Sequence, residues 1–355
     1  MAGKLALRAQ GFFAESVENT YYLTVVTTTS CNLGCAYCFQ NVGQAKTGTH
    51  RPPRIPGVKL DALRASKILA FADCQLQANS LNHLDIMLFG GEPLLQADAC
   101  VAFLRAAQEI APTTAQMVTN GTLLSPPIAL ALESAGLSRV QVTFDGGRES
   151  HNLLRATRSG RPTYDHVLRN LERAAQVVEW EWQIHVNVAP STMSSIDSLL
   201  DDLARVVEPS KARVVFAPVD DVGIGYDDTV GYDARLAEQF IAWNIRALEL
   251  GFQIRRPRAS AGCSYCTEVG GTGGSVVNGD GVLYSCWETV GKSEWVVGDV
   301  DAGYVDDDIL LQRWVACGYN AQRSASDDVQ RALQDAVDST LLDWLHEKRH
   351  LALVG

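Results

Sequence analysis

Over its first 250 residues the chain alternates short apolar or β-branched runs with stretches of helical periodicity six times, and few folds accept that order. The sequence predicts strands near Tyr22–Thr27, Asp85–Phe89, Ala115–Thr119, Val140–Phe144, Gln183–Ala189 and Arg213–Ala217. Amphipathic helices are predicted near Asp61–Ala72, Ala97–Glu109, Pro127–Ser134, Tyr164–Val178, Ser194–Val206 and Asp233–Leu250. Strand and helix in strict turn mean repeated βα units around a parallel sheet, because a parallel neighbour needs a crossover. Six units of this length suit an α/β fold, a partial (β/α)6 TIM-like barrel open on one side.

After Gly251 the texture changes. IRRPRASAGCSYCTEVGGTGGSVVNGDG is rich in Gly, Arg and Ser, and its NGDG is a hairpin signal between strands Ser275–Val277 and Val282–Ser285. Apolar residues at Val329, Leu333, Val337, Leu341 and Leu345 predict a closing amphipathic helix over Asp327–Arg349. The expected division is therefore a barrel over 1–250, a small auxiliary domain over 251–320 and a terminal helix over 321–355.

A net charge of -11 gives no basic footprint for nucleic acid or an anionic membrane surface. With no signal peptide or spanning run in view, a cytoplasmic setting is expected. Nine cysteines in a reducing compartment are not disulfide staples, so their spacing carries the information. Cys74 and Cys100 stand alone within helical patterns and read as small buried hydrophobes.

TTTSCNLGCAYCFQ follows strand one and sets Cys31, Cys35 and Cys38 at C-x3-C-x2-C on a loop. Three thiolates converging from a loop suit an iron–sulfur cluster with one iron left open, or a zinc ion. LFGGEPLL, with Gly90, Gly91, Glu92 and Pro93, ends strand two. MVTNGTLL, with Thr119 and Asn120, ends strand three, and VTFDGGRESHNLLR ends strand four. All three lie where α/β sheets gather ligands.

In this set and order the motifs resemble the radical SAM superfamily. The resemblance implies a [4Fe-4S] cluster on Cys31, Cys35 and Cys38, beside aromatic Tyr37. Its open iron would chelate S-adenosylmethionine, which one electron cleaves to methionine and a 5′-deoxyadenosyl radical. It implies further that the GGEP segment, Gly90 to Pro93, receives the methionine ammonium, its glycines letting the backbone approach the ligand. Thr119 and Asn120 would be ribose and carboxylate contacts. The strand-four run is similar to the S-x-D-G-x4-H-D-x2-R segment of peptide- and protein-modifying members. Asp145, Gly146, His151 and Arg155 match it, Thr143 stands for Ser and Asn152 for Asp. Arg155 is the expected partner of the cofactor carboxylate, His151 an orienting core histidine, and Asn187 an adenosine contact.

The later cysteines, Cys263, Cys266, Cys286 and Cys317, with Gly281 five residues before Cys286, resemble the SPASM/twitch appendix of that family. Four thiols would hold one auxiliary [4Fe-4S] cluster, or a zinc ion, and make two clusters in all. The position after Cys286, a catalytic Asp in sulfatase maturases, is Trp287, with Glu288 next. Glu288, Asp145 or Glu268 is the expected proton acceptor.

The resemblance favours a peptide maturase that abstracts hydrogen and oxidises a ribosomally made peptide to a cross-link or related modification. The alternatives are a small-molecule radical dehydrogenase or epimerase, or an electron carrier. Expected partners are the peptide, a separate leader-binding protein because only about twenty residues precede strand one, and an electron donor such as flavodoxin or ferredoxin.

Overall fold

The computed structural model describes residues 19–42, 53–221, 223–255, 269–315 and 321–348, and for 321–331 the backbone alone. Six parallel strands form in the predicted places: β1 (Thr20–Thr28), β2 (His83–Gly90), β3 (Thr113–Thr119), β4 (Leu137–Phe144), β5 (Glu181–Val188) and β6 (Ala212–Pro218). They neighbour one another in chain order, and two-residue β7 (Gln253–Ile254) follows β6 at the edge. The sheet does not close.

Helices α1 (Ala62–Ala78), α2 (Ala97–Gln108) and α3 (Pro126–Ser134) follow β1, β2 and β3 in turn. Then α4 (Arg148–Leu154) and α5 (Tyr164–Ala175) follow β4, α6 (Ile196–Val206) follows β5, and α7 (Ala234–Glu249) follows β6. α4 was not expected, since seven residues are too few to show helical periodicity. It carries His151.

Alternation along each strand divides the sheet into two faces. Leu84, Ile86, Leu88, Ala115, Met117, Val140, Val142, Ile184, Val186 and Val214 face the helices and join them in one buried core. Each large side chain there contributes about 1.5–3 kcal/mol by leaving water. The opposite face carries Asp85, Gln116, Arg139, Gln141, Gln183 and His185, which the packed interior of a closed barrel would exclude. Arg139 pairs with Asp85 at 2.7 Å, and Gln183 donates to Gln141 at 2.5 Å.

The predicted hairpin forms as β8 (Gly274–Asn278) and β9 (Val282–Tyr284), and β10 (Gly298–Asp299) and β11 (Gly303–Tyr304) extend it. β8 lies parallel to β1, pairing Tyr22 with Gly274 through Val26 with Asn278. The hairpin thus lengthens the barrel's own sheet to eleven strands. After α8 (Asp307–Arg313), helix α9 (Ala321–Glu347) packs on α7 and buries Leu333, Val337 and Leu341, three of the positions predicted to close the fold.

Cys100 is fully buried as expected, but Cys74 is exposed. The buried stripe of α1 runs through Ile68, Leu69, Phe71, Ala72 and Leu76, and Cys74 falls on its solvent side.

Candidate active site

Cys31, Cys35 and Cys38 lie on the loop leaving β1, partly exposed and close enough that each one's charge is felt by another. The loop has a brace that sequence reasoning missed. Residues 53–60 run along it: Thr29 N–H donates to the Val58 carbonyl (3.1 Å), Thr29 Oγ1 to the Pro56 carbonyl (2.7 Å), and Ile55 N–H to the Gln40 carbonyl (2.9 Å). Arg54 crosses the gap between the loop's ends, donating from Nη2 to the Thr29 carbonyl (3.1 Å) and to Gln40 Oε1, and from Nη1 to Cys38 Sγ (3.4 Å). RPPRIPG shows no periodicity and reads only as a loop, so nothing local signalled this contact.

Burial pushes the Cys35 thiol up to about 12 and raises Cys31 as well. Buried thiols ionise only when a cation or metal centre shares the charge. Cys31 Sγ also accepts from Leu33 N–H (3.4 Å) and Asn120 Nδ2 (3.8 Å). Among the described residues no group of three His, Cys, Asp or Glu could hold a single metal ion. Three thiols on one loop, supplied with N–H donors, fit a cluster in which each sulfur takes its own iron.

The GGE segment serves first as a joint. A Cβ on Gly90, whose φ is +148°, would overlap the Thr28 carbonyl, and one on Gly91 would overlap the Ser30 carbonyl. The missing side chains therefore let β2 close on the root of the cysteine loop, where ligand access had been the expected reason. Glu92 is fully buried, and its carboxylate accepts from Thr119 Oγ1 (2.7 Å), Asn120 N–H (2.7 Å) and Leu94 N–H (3.0 Å). Burial raises its pKa, and those three donors pull the other way. Pro93, buried, is the first residue of a short turn over Pro93–Gln96. Asn120 donates to Asn32 Oδ1 (2.9 Å), and Thr122 donates to Asn120 Oδ1 (2.6 Å). The ends of β2 and β3 are thus bolted to the cysteine loop.

A second polar group sits at the ends of β4 and β5. Tyr37 Oη donates to Asp145 Oδ2 (2.6 Å) and accepts from Arg155 Nη1 (2.8 Å) and Asn187 Nδ2 (2.9 Å). Asn187 also donates to Asp145 Oδ1 (3.0 Å), and Arg155 stands 3.7 Å from that oxygen. Burial raises the Asp145 pKa, while Arg155 and its two donors oppose the rise. Both carboxylate oxygens are engaged and the residue is fully buried, so its geometry is that of an anchor where a proton acceptor had been one expectation. Arg155 keeps one buried donor, Nε, without an acceptor among the described residues. A buried guanidinium with a spare N–H fits the carboxylate of S-adenosylmethionine.

His151 is fully buried; its Nδ1 accepts from Asp145 N–H (3.4 Å), which leaves Nε2 to donate to Thr163 Oγ1 (3.2 Å). Thr163 in turn donates to the Arg155 carbonyl (2.8 Å). Burial holds the imidazole well below its ordinary pKa, so it bonds within the segment as a neutral ring. Asn152 Oδ1 accepts from Thr163 N–H and Tyr164 N–H, both at 2.9 Å, an acceptor's task that Asn performs as well as Asp. Thr143 is buried nearby on β4, and Tyr226, which the sequence did not single out, meets Tyr37 edge-on with centroids 5.8 Å apart.

Of the later cysteines only Cys286 is described; Cys263, Cys266 and Cys317, with Glu268, lie outside the described residues. Cys286 precedes a turn over Trp287–Thr289. Trp287 packs on Phe89 (centroids 5.8 Å apart), and Phe89 stacks on Phe39 (6.1 Å), the residue after Cys38. One aromatic series therefore runs from the residue after Cys38 to the residue after Cys286. Lys292 lies beside it, within electrostatic reach of Glu288, Glu294, Cys286 and Cys38, and its burial lowers its pKa.

A family model described as the radical SAM superfamily matches residues 25–203, half of the chain. Among curated relatives, the GTP 3',8-cyclase of Rhodococcus opacus (strain B4) is 30% identical over 179 residues, covering 50% of this chain and 46% of its own. The AdoMet-dependent heme synthase of Methanosarcina barkeri (strain Fusaro / DSM 804) is 28% identical over 171 residues, covering 48% and 43%. The chain thus spans about half the length of such relatives. Among solved structures, native anSMEcpe with bound AdoMet superposes with a TM-score of 0.60 at 20% identity, covering 82% of this chain and 81% of that one. Streptococcus suis SuiB bound to precursor peptide SuiA gives 0.53 at 14% identity, covering 90% and 71%.

Proposed function

Because the chain belongs to the radical SAM superfamily, we propose that it oxidatively modifies a peptide, forming a cross-link or a related bond. Membership implies one [4Fe-4S] cluster and S-adenosylmethionine, and Cys31, Cys35 and Cys38 are the residues to hold the cluster. When bound, the pair supplies a one-electron cleavage of the sulfonium that yields a hydrogen-abstracting radical. Arg155, through its spare Nε–H, would fix the cofactor's carboxylate. Tyr37, Asp145 and Asn187 would hold that arginine and shape the adenosine side, with Thr143 beside them. Gly90, Gly91, Glu92 and Pro93 would place the methionine ammonium, with Thr119 and Asn120 at the ribose and carboxylate.

The observation that carries the reading is the aromatic series from Phe39, next to Cys38, through Phe89 to Trp287, next to Cys286. It sets Cys286 beside the first loop, where an auxiliary cluster of SPASM or twitch type on Cys263, Cys266, Cys286 and Cys317 could take an electron from the substrate radical. Removing hydrogen and then an electron from carbon also releases a proton. Glu288 is assigned to take it, since Trp287 cannot and Asp145 is engaged. That anSMEcpe has been seen with Cp18Cys peptide, and SuiB with SuiA, supports a peptide in the same place.

A second reading, a small-molecule substrate, has its own support in the polar inner face of the sheet, with Asp85, Gln116, Arg139, Gln141 and Gln183, and in the GTP 3',8-cyclase relatives. Anaerobic turnover followed by mass spectrometry separates the two. A precursor peptide encoded beside this gene should lose about two mass units per modification, since two hydrogens leave. Glu288→Gln should then cleave S-adenosylmethionine without yielding product. An unchanged peptide together with an oxidised sugar or nucleotide would replace the first reading by the second.

A further inference from the structure

Arg54 is the cation nearest the first cysteine loop that the assigned chemistry does not use. Its guanidinium donates to Cys38 Sγ at 3.4 Å, and its other bonds, to the Thr29 carbonyl and Gln40 Oε1, fix it across both ends of the loop. Two buried donors there find no acceptor among the described residues: Arg54 Nε and the side-chain nitrogen of Gln40, itself 1% exposed. Arg54 also bears electrostatically on all three cysteines. Donors without acceptors beside three thiols call for sulfur, the weak acceptor that thiolates and sulfides supply.

We propose that Arg54 is a positioning residue that sets the reduction potential of the cluster held by Cys31, Cys35 and Cys38, by holding a permanent positive charge and an N–H donor against Cys38. The inference rests on family membership, not on the peptide reading. The step concerned is a one-electron reduction: one electron leaves a low-potential external donor and enters the iron–sulfur core, with no proton transferred. That electron adds one negative charge, and a fixed guanidinium favours the more negative state. Hydrogen bonds to ligand sulfurs and local charge are the recognised levers on such potentials. An arginine never loses its charge, so the bias holds at every working pH.

The test is a potentiometric titration of the reconstituted full chain without S-adenosylmethionine, using dithionite and reading the reduced cluster by EPR. Arg54→Gln, which keeps donors and loses charge, is expected to lower the reduced-to-oxidised ratio at fixed potential about tenfold, or ~59 mV for one electron. Arg54→Lys should return most of that shift. A loaded Arg54→Gln chain with the parent's potential would overturn the proposal. Should the glutamine variant fail to take up iron, pulsed EPR of the parent chain grown with 15N-arginine decides. Hyperfine coupling from a guanidinium nitrogen to the reduced cluster is expected, and its absence would sink the assignment.

Discussion

At the scale of single residues, the polar positions of the site bond to one another as much as they face outward. Asp145 and Arg155 are 0% and 8% exposed as side chains, so Asp145 depends on Arg155 and on the Tyr37 and Asn187 donors to stay ionised, and the permanent charge of Arg155 depends on Asp145 for compensation. Removing one partner leaves a buried charge uncompensated, and Arg155→Met or Asp145→Asn should each cost about 3 kcal/mol of unfolding free energy. The double variant should cost clearly less than the sum, as a double-mutant cycle in urea would reveal. Glu92→Gln should cost about 1–3 kcal/mol, because an amide offers one oxygen where three donors meet two. Arg54 and Tyr226 could not be picked from the sequence by motif, whereas Tyr37, Glu92, Asp145 and Arg155 could. Their mutual bonds could not, because Tyr37 and Asn187 lie 150 positions apart and meet only when β1 and β5 share one end of a sheet.

At the scale of elements, the legible features were periodic and the hidden ones were short. Strand alternation in β5, with Trp182, Ile184, Val186 and Val188 buried, and the helical stripe of α6 were plain in the sequence. α4, at seven residues, and the 53–60 brace were not, since neither spans enough chain to repeat. The hairpin was readable from NGDG, while its parallel pairing with β1 joins residues some 250 positions apart, and no local signal reports that. The joint between β2 and the cysteine loop gives a sharp prediction. Gly91→Ala must displace the Ser30 carbonyl, one residue from Cys31, so anaerobic reconstitution should load it with less than half the parent's iron at the first site. Full loading with an unchanged EPR spectrum would mean that the joint tolerates a methyl group.

At the scale of the whole molecule, the inner face of the open sheet carries a buried titratable group, His185, that bears on acid stability. Burial lowers His185 to about 4, against about 6.5 in an unfolded chain. Between those values the unfolded chain binds a proton that the folded chain refuses, so this residue removes stability as pH falls from 6.5 to 4. With some solvent contact remaining, the loss is on the order of 2 kcal/mol. Urea unfolding should therefore show His185→Gln gaining on the parent chain as pH drops through that window; a constant difference would show that His185 is not desolvated. No described helix is long and apolar enough to cross a membrane. The central claim is that one strand-end site starts radical chemistry and the cysteine group beside it receives an electron, which requires two clusters. Iron counting after anaerobic reconstitution tests this most directly. About eight irons per chain are predicted, falling to about four when Cys31, Cys35 and Cys38 are all changed to Ala. About four in the parent chain and none in the triple variant would contradict it.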